Sequence, residues 1–158
     1  MSPTNRRRMT NLHREEFLRR TPAWKDRIEQ IPAPKFKTTT ANGLTKAVIA
    51  FLEYNGHQAE RINTTGVWVR ERAHVNGGYY RPTTGTRGSA DVSATINGKS
   101  VKLEIKAGSD RQSKVQRLYQ EKIERAGGVY LIVRDFDEFV EWYDTFITGE
   151  TNTNNIKP

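Results

Sequence analysis

Cysteine is absent from this chain, which excludes a disulfide framework and thiolate zinc sites together. Histidine is scarce. His13, His57 and His74 stand singly, so a histidine metal cluster is not expected and each reads as a surface or partly buried residue. No apolar run approaches the roughly 18 residues of a membrane-spanning helix, and the first 20 residues carry no apolar signal segment. A soluble cytoplasmic protein with no membrane partner is expected. What the chain has in excess is positive charge, with 26 Lys and Arg against 18 Asp and Glu and a formal net charge of +8. The charge is unevenly spread: residues 1–37 hold 10 basic and 4 acidic side chains, whereas residues 134–158 hold 2 and 6. This asymmetry points to a polyanion met by the basic side, with the final helix turned away from it. A basic surface that serves solubility alone is the bland alternative.

The length of 158 residues fits one domain with a packed core. Its pattern divides into a basic arm and helical extension over 1–37, a core over 38–148 and a disordered tail over 149–158. Met1 to Met9, with Arg6, Arg7 and Arg8, reads as a disordered arm, followed by a short helix over Leu12 to Arg20. Thr21 is placed to cap a further helix, with Pro22 at its first position and Trp24, Ile28 and Ile31 on one face. The apolar stripe favours packing of this extension on the core over exchange with a second subunit or contact with nucleic acid. A core helix is expected over Leu44 to Tyr54 and strands over Gln58 to Asn63 and Val67 to Arg72. The stretch Ala73 to Ser89 reads as a long loop, in which Tyr79, Tyr80, Arg81 and Arg87 are suited to stack on bases or pair with phosphates. An ordinary solvated loop is the alternative. Beyond it, a helix opens at Ser113 with Val115, Leu118, Tyr119, Ile123 and Ala126 as its buried face, Val129 to Val133 reads as a central buried strand, and Asp135 to Phe146 as a terminal helix.

The most informative stretch is Ala90 to Ala107, two alternating runs joined by Asn97-Gly98, the dipeptide favoured in two-residue hairpins. Pairing Ile96 with Lys99 fixes the register and sets Asp91 opposite Glu104, with Cβ atoms about 5 Å apart. Alternation puts Val92, Ala94, Ile96, Val101, Leu103 and Ile105 on an apolar face, and Asp91, Glu104 and Lys106 on the other. Facing carboxylates repel, so a compensating cation is expected, and Mg²⁺ takes such oxygen ligands while keeping positions for water and phosphate. A solvated hairpin face, with Lys106 simply neutralising one acid, is the alternative.

The order Asp91, then Glu104-Ile105-Lys106, then Ser113-x-x-Gln116, preceded by a strand bearing Arg61-x-Asn63, resembles the VRR-NUC branch of the PD-(D/E)XK nuclease superfamily, particularly its short stand-alone phage and prophage members. The resemblance spans Gly43 to Phe146. It implies an α/β, restriction-endonuclease-like core with a small mixed sheet flanked by helices, here carrying an N-terminal helical extension. It also implies a Mg²⁺- or Mn²⁺-dependent deoxyribonuclease acting on flapped, branched or junction DNA, in which Asp91, Glu104 and the Ile105 carbonyl bind metal, Lys106 assists the nucleophilic water and Gln116 supports it. A homodimer would let such an enzyme engage two strands. DNA contacts are expected from Arg6, Arg7, Arg8, Arg61, Tyr80, Arg81 and Arg87. Two positions depart from the pattern: Ala90 stands where the motif usually has proline, and Asn42 where a glutamate commonly supplements the metal shell. Ser113 and Gln116 also form a capping-box pattern, which by itself accounts for both residues. The rival readings are a nucleic-acid-binding module of the same fold that does not cleave, and a small assembly protein with a basic arm.

Overall fold

The structure, a computed structural model, describes residues 1–62, 67–70, 77–81 and 85–149. Its centre is a mixed four-stranded sheet of strands β1 (Gln58–Arg61), β4 (Val92–Ile96), β5 (Lys99–Ile105) and β6 (Val129–Val133), in the order β1-β4-β5-β6. The first three are antiparallel and β6 joins β5 in parallel. The predicted hairpin forms in the predicted register, Ile96 opposite Lys99 and Val92 opposite Leu103. Asn97 and Gly98 adopt φ of 48° and 78°, the left-handed pair that a type I′ turn demands. A separate ribbon pairs β2 (Val67–Arg70) with β3 (Gly78–Arg81), so the stretch expected to be a loop contains a strand. Asn63, residues 71–76 and residues 82–84 of the predicted strands and loop lie outside the described residues, as do residues 64–66 and the tail from residue 150.

One face of the sheet is apolar as expected. Val92, Ala94, Ile96, Val101, Leu103 and Ile105 are buried there with Leu44, Val48, Phe51 and Leu52 of helix α2 (Ala41–Tyr54) and Phe136, Phe139 and Tyr143 of helix α4 (Phe136–Thr148). Full burial of each large apolar side chain contributes about 1.5–3 kcal/mol, so this layer is the core. Thr40 caps α2 through the Gly43 N–H and Asp135 caps α4 through the Asp137 and Glu138 N–H groups, which fixes where both helices begin.

The N-terminal segment corrects an expectation. Met1 to Met9 is not a disordered arm but enters an 18-residue helix, α1 (Pro3–Arg20). Ser2 caps it and Pro3 sits in its first turn. Its hydrophobic periodicity is negligible, and it is held instead by Met9, buried in the core cluster, and by polar contacts to α4. Ser2 and Asn5 donate to Asp137, and Arg8 forms a two-pronged ion pair with Asp144 at 2.7 Å. Pro22–Gln30 is not the capped α-helix expected but a run of 3₁₀ turns interrupted at Arg27. The Thr21 hydroxyl, rather than capping it, donates back to the Phe17 carbonyl, and of the expected stripe only Ile31 is buried.

Two further expectations change. β6 is an edge strand of the sheet, not a central one. Helix α3 (Lys114–Arg125) has no fully buried residue, and Val115 and Leu118 of its predicted core face are 48% and 49% exposed. The reason is that α3 lies on the polar face of the sheet, beside β6, where the Tyr119 and Tyr130 rings meet edge to face at 6.3 Å. No helix among the described residues is long and apolar enough to cross a membrane.

Candidate active site

On the face opposite the core, alternation along β5 brings Lys102 and Glu104 to the surface covered in part by α3. Glu104 is nonetheless only 2% exposed and Lys106 5%, which the sequence pattern did not announce. Their partners explain it. Lys106 Nζ lies 3.1 Å from Glu104 Oε1 and donates to Asp110 Oδ2 at 3.1 Å and Gln116 Oε1 at 3.3 Å. The Gln116 amide donates to Glu104 Oε1 at 2.5 Å, and the Tyr130 hydroxyl donates to Glu104 Oε2 at 3.3 Å. No buried side-chain nitrogen or oxygen among the described residues lacks a partner.

Asp91 precedes β4 and completes the cluster from the adjacent strand. Its Oδ2 accepts the Ile105 N–H at 2.9 Å. The Lys106 N–H, one residue on, goes to the Val133 carbonyl in β6. Since backbone groups alternate sides along a strand, the Ile105 carbonyl is turned with its N–H toward Asp91. Asp91, Glu104 and the Ile105 backbone therefore converge where β4 leaves the ladder.

Gln116 resolves the question posed by its spacing, because it does both things the pattern allows. Its Oε1 accepts the Ser113 N–H at 2.8 Å while Ser113 Oγ accepts the Gln116 N–H, a complete capping box, and the Gln116 Nε2 reaches Glu104. The helix cap thus positions a site residue.

The electrostatics follow from this packing. Burial pushes the Glu104 carboxyl above the usual carboxylate range, and the Asp91 charge adds to that, while Lys106 and the Tyr130 hydroxyl hold it down. For Lys106 burial acts to lower the pKa, but the Glu104 and Asp110 carboxylates outweigh it and the net direction is upward. Lys106 is therefore an ammonium at neutral pH, suited to hold negative charge rather than to accept a proton. Tyr130 is pushed far up by burial and by the Glu104 charge, so its hydroxyl stays protonated and can only donate to the carboxylate.

The donor chemistry fits a hard cation. Asp91, Glu104 and the Ile105 carbonyl offer oxygen only, and among the described residues no three His, Cys, Asp or Glu side chains converge closely enough to hold a metal by themselves. A cation here would take two carboxylates and draw its other ligands from water and substrate, the habit of Mg²⁺.

Asp91, Glu104, Ile105, Lys106 and Gln116 are thus brought together from the expected set. Asp110 and Tyr130 join them unforeseen: Asp110 lies four residues past Lys106 in a turn without periodic signal, and Tyr130 was hidden in a run read only as apolar core. Asn42 stands exposed in the first turn of α2, where its Oδ1 accepts from Arg61 Nη1 at 2.7 Å. Ile62, the residue after Arg61, donates its N–H to the Asp91 carbonyl, so this pair lies at the rim of the cluster. Arg87 is exposed in the turn before β4, which is held against α3: a Cβ on Gly88 would come within 2.7 Å of the Val115 carbonyl oxygen. Tyr80 and Arg81 belong to β3, with Tyr80 58% exposed. Arg6 and Arg7 are exposed on α1, whereas Arg8 is committed to Asp144 and lies 5.1 Å over the Phe51 ring. α1, which carries these arginines, belongs to the core-side helical layer, and Glu104 faces the other side of the sheet. No protein-family model, curated protein or solved structure matches the chain.

Proposed function

We propose that this protein is a Mg²⁺- or Mn²⁺-dependent deoxyribonuclease with a restriction-endonuclease-like core, of the kind that the VRR-NUC branch represents. The observation that carries the reading is the convergence of Asp91, Glu104, Lys106 and Gln116 at one end of β5, through a hydrogen-bonded cluster rather than by spacing alone. Asp91, Glu104 and the Ile105 carbonyl would hold the cation, which would supply Lewis-acid stabilisation to a phosphate under attack. The chain's own residues do the rest. Lys106, an ammonium fixed by Glu104 and Asp110, offers positive charge where negative charge develops on the phosphate. Gln116 fixes the Glu104 rotamer from one side and Tyr130 from the other. DNA is the substrate that the basic surface fits, and flapped, branched or junction forms are those the resemblance suggests. One copy carries one such site, so cutting two strands of a junction calls for a homodimer in a host-cell cytoplasm.

A second reading, binding without cleavage on the same fold, is favoured by the degree to which Glu104 is already satisfied by protein donors. Cleavage assays on single-stranded, duplex, flap and four-way DNA, with and without Mg²⁺, separate the two. Nuclease activity that needs the cation and disappears in Asp91→Asn and Glu104→Gln is the expected result. Wild-type rates in either variant, or cleavage that needs no cation, reject the site, and absent cleavage favours the second reading.

A further inference from the structure

The β2–β3 ribbon carries two large aromatic side chains that the core does not use. Trp68 and Tyr80 are directly paired across the strands, and they remain 55% and 58% exposed. Their common face continues to Arg70 and Gly78, the next pair but one. Gly78 has a reason to be there. A Cβ at this position would collide with the Val69 carbonyl and lie 2.9 Å from Trp68 Nε1, so its absence lets the indole lie across the neighbouring strand. Neither strand contains an acid, and Arg70 is exposed beside the indole.

The connections of the ribbon place it. Its first strand begins five residues after Ile62, whose N–H is bonded to the Asp91 carbonyl. Five residues span at most about 17 Å. Its second strand returns through Arg87 and Ala90 to Asp91 itself. Both ends of this exposed aromatic ribbon therefore lead to one residue of the candidate site, five residues away on one side and ten on the other.

We infer that this ribbon binds an unpaired nucleotide, stacking its base on Trp68 and Tyr80 while Arg70 meets the phosphate, and so delivers single-stranded DNA to the Asp91 site. Only an unpaired base offers its π-face to such a platform, and the cationic flank matches a phosphodiester chain rather than an apolar protein partner. The delivery rests on the nuclease reading; the stacking does not, and it is measured separately.

With EDTA present, so that no cleavage occurs, tryptophan fluorescence and anisotropy follow binding of oligothymidylate of about ten nucleotides, within the usual site size. An abasic chain of equal length and a duplex serve as comparisons. Trp68→Ala is expected to weaken oligothymidylate binding by about 5- to 100-fold, the worth of stacking one base. Trp68→Phe should lose less, and Tyr80→Leu should weaken it as well. The abasic chain and the duplex should bind all variants as they bind the wild type, a result that a misfolded variant could not give. Unchanged oligothymidylate binding in both Trp68→Ala and Tyr80→Leu overturns the inference, as does an equal loss for all three ligands. Loss of self-association by sedimentation with oligothymidylate binding intact assigns the ribbon to a protein contact instead, and also overturns it. Failure of the nuclease reading shows elsewhere, as wild-type protein that stacks oligothymidylate but does not cleave in Mg²⁺.

Discussion

Glu104 and Lys106 are a buried ion pair on a sheet face that is otherwise polar, and their energetics differ from those of a solvated pair. Each carries a desolvation cost that only its partners offset. Removing one partner should therefore be worse than removing both. Lys106→Met is expected to lower stability by about 3–5 kcal/mol, the usual cost of leaving a buried charge uncompensated. Adding Glu104→Gln should recover most of that loss, since a neutral amide needs no counter-charge and can still accept the Tyr130 hydroxyl. Denaturant unfolding of the single and double variants measures this. If the double variant is no more stable than Lys106→Met, the pair is not coupled as its geometry indicates. Neither variant should cleave DNA. Recovered stability with activity still lost would separate the chemical role of the pair from its structural one.

At the scale of elements, legibility follows how local the determining interactions are. The β4–β5 hairpin was readable because Asn97-Gly98 sets the turn and a period of two sets the faces, all within 18 contiguous residues, Ala90 to Ala107. The Glu104 burial was not, because Tyr130 and Gln116 arrive from β6 and α3. Helix α3 has a strong apolar stripe, yet its pattern cannot say whether that stripe meets a core or the edge of a polar face, and Val115 and Leu118 are left half exposed. α1 is the reverse case. It lacks a stripe and is ordered by contacts to Asp137 and Asp144, more than 130 positions away along the chain. Those contacts carry a pH signature. Burial alone would raise the Asp137 pKa, but hydrogen bonds from the Ser2 backbone, the Asn5 amide and the Ser2 hydroxyl bring it below the usual carboxylate value. A carboxylate lowered by folding contributes stability above its unfolded pKa and loses it as pH falls through the lowered folded value. Asp137→Asn should therefore melt lower than wild type at neutral pH, with the gap closing as pH drops below the carboxylate range. A gap that is constant across pH would place the α1 anchor elsewhere.

For the molecule as a whole, part of the charge asymmetry is internal. The acidic final helix is not simply turned away from a polyanion; it receives the basic N-terminal helix, and Arg8 is consumed in that contact. Arg6 and Arg7 stay exposed and, under the proposed function, are the arginines of the triplet that would meet DNA. Each Lys or Arg that neutralises a duplex phosphate contributes about −0.9 to the slope of log K against log salt. Replacing both Arg6 and Arg7 by alanine should therefore make the slope shallower by up to about 1.8, with the melting temperature held. Arg8→Ala should do the opposite: the slope stays, and stability falls by about 1 kcal/mol or less, because the pair is partly exposed and screened. Deleting Met1 to Met9 would confound the two, since Met9 is a core residue at 1% exposure. The geometry sharpens the outcome further. α1 belongs to the helical layer on the core side of the sheet, whereas Glu104 faces its other side. A slope change on flapped or four-way DNA that is absent on linear duplex would mean that α1 holds a second arm of a branched substrate. A slope unchanged on every substrate would confine DNA to the β2–β3 ribbon and the face that carries Glu104.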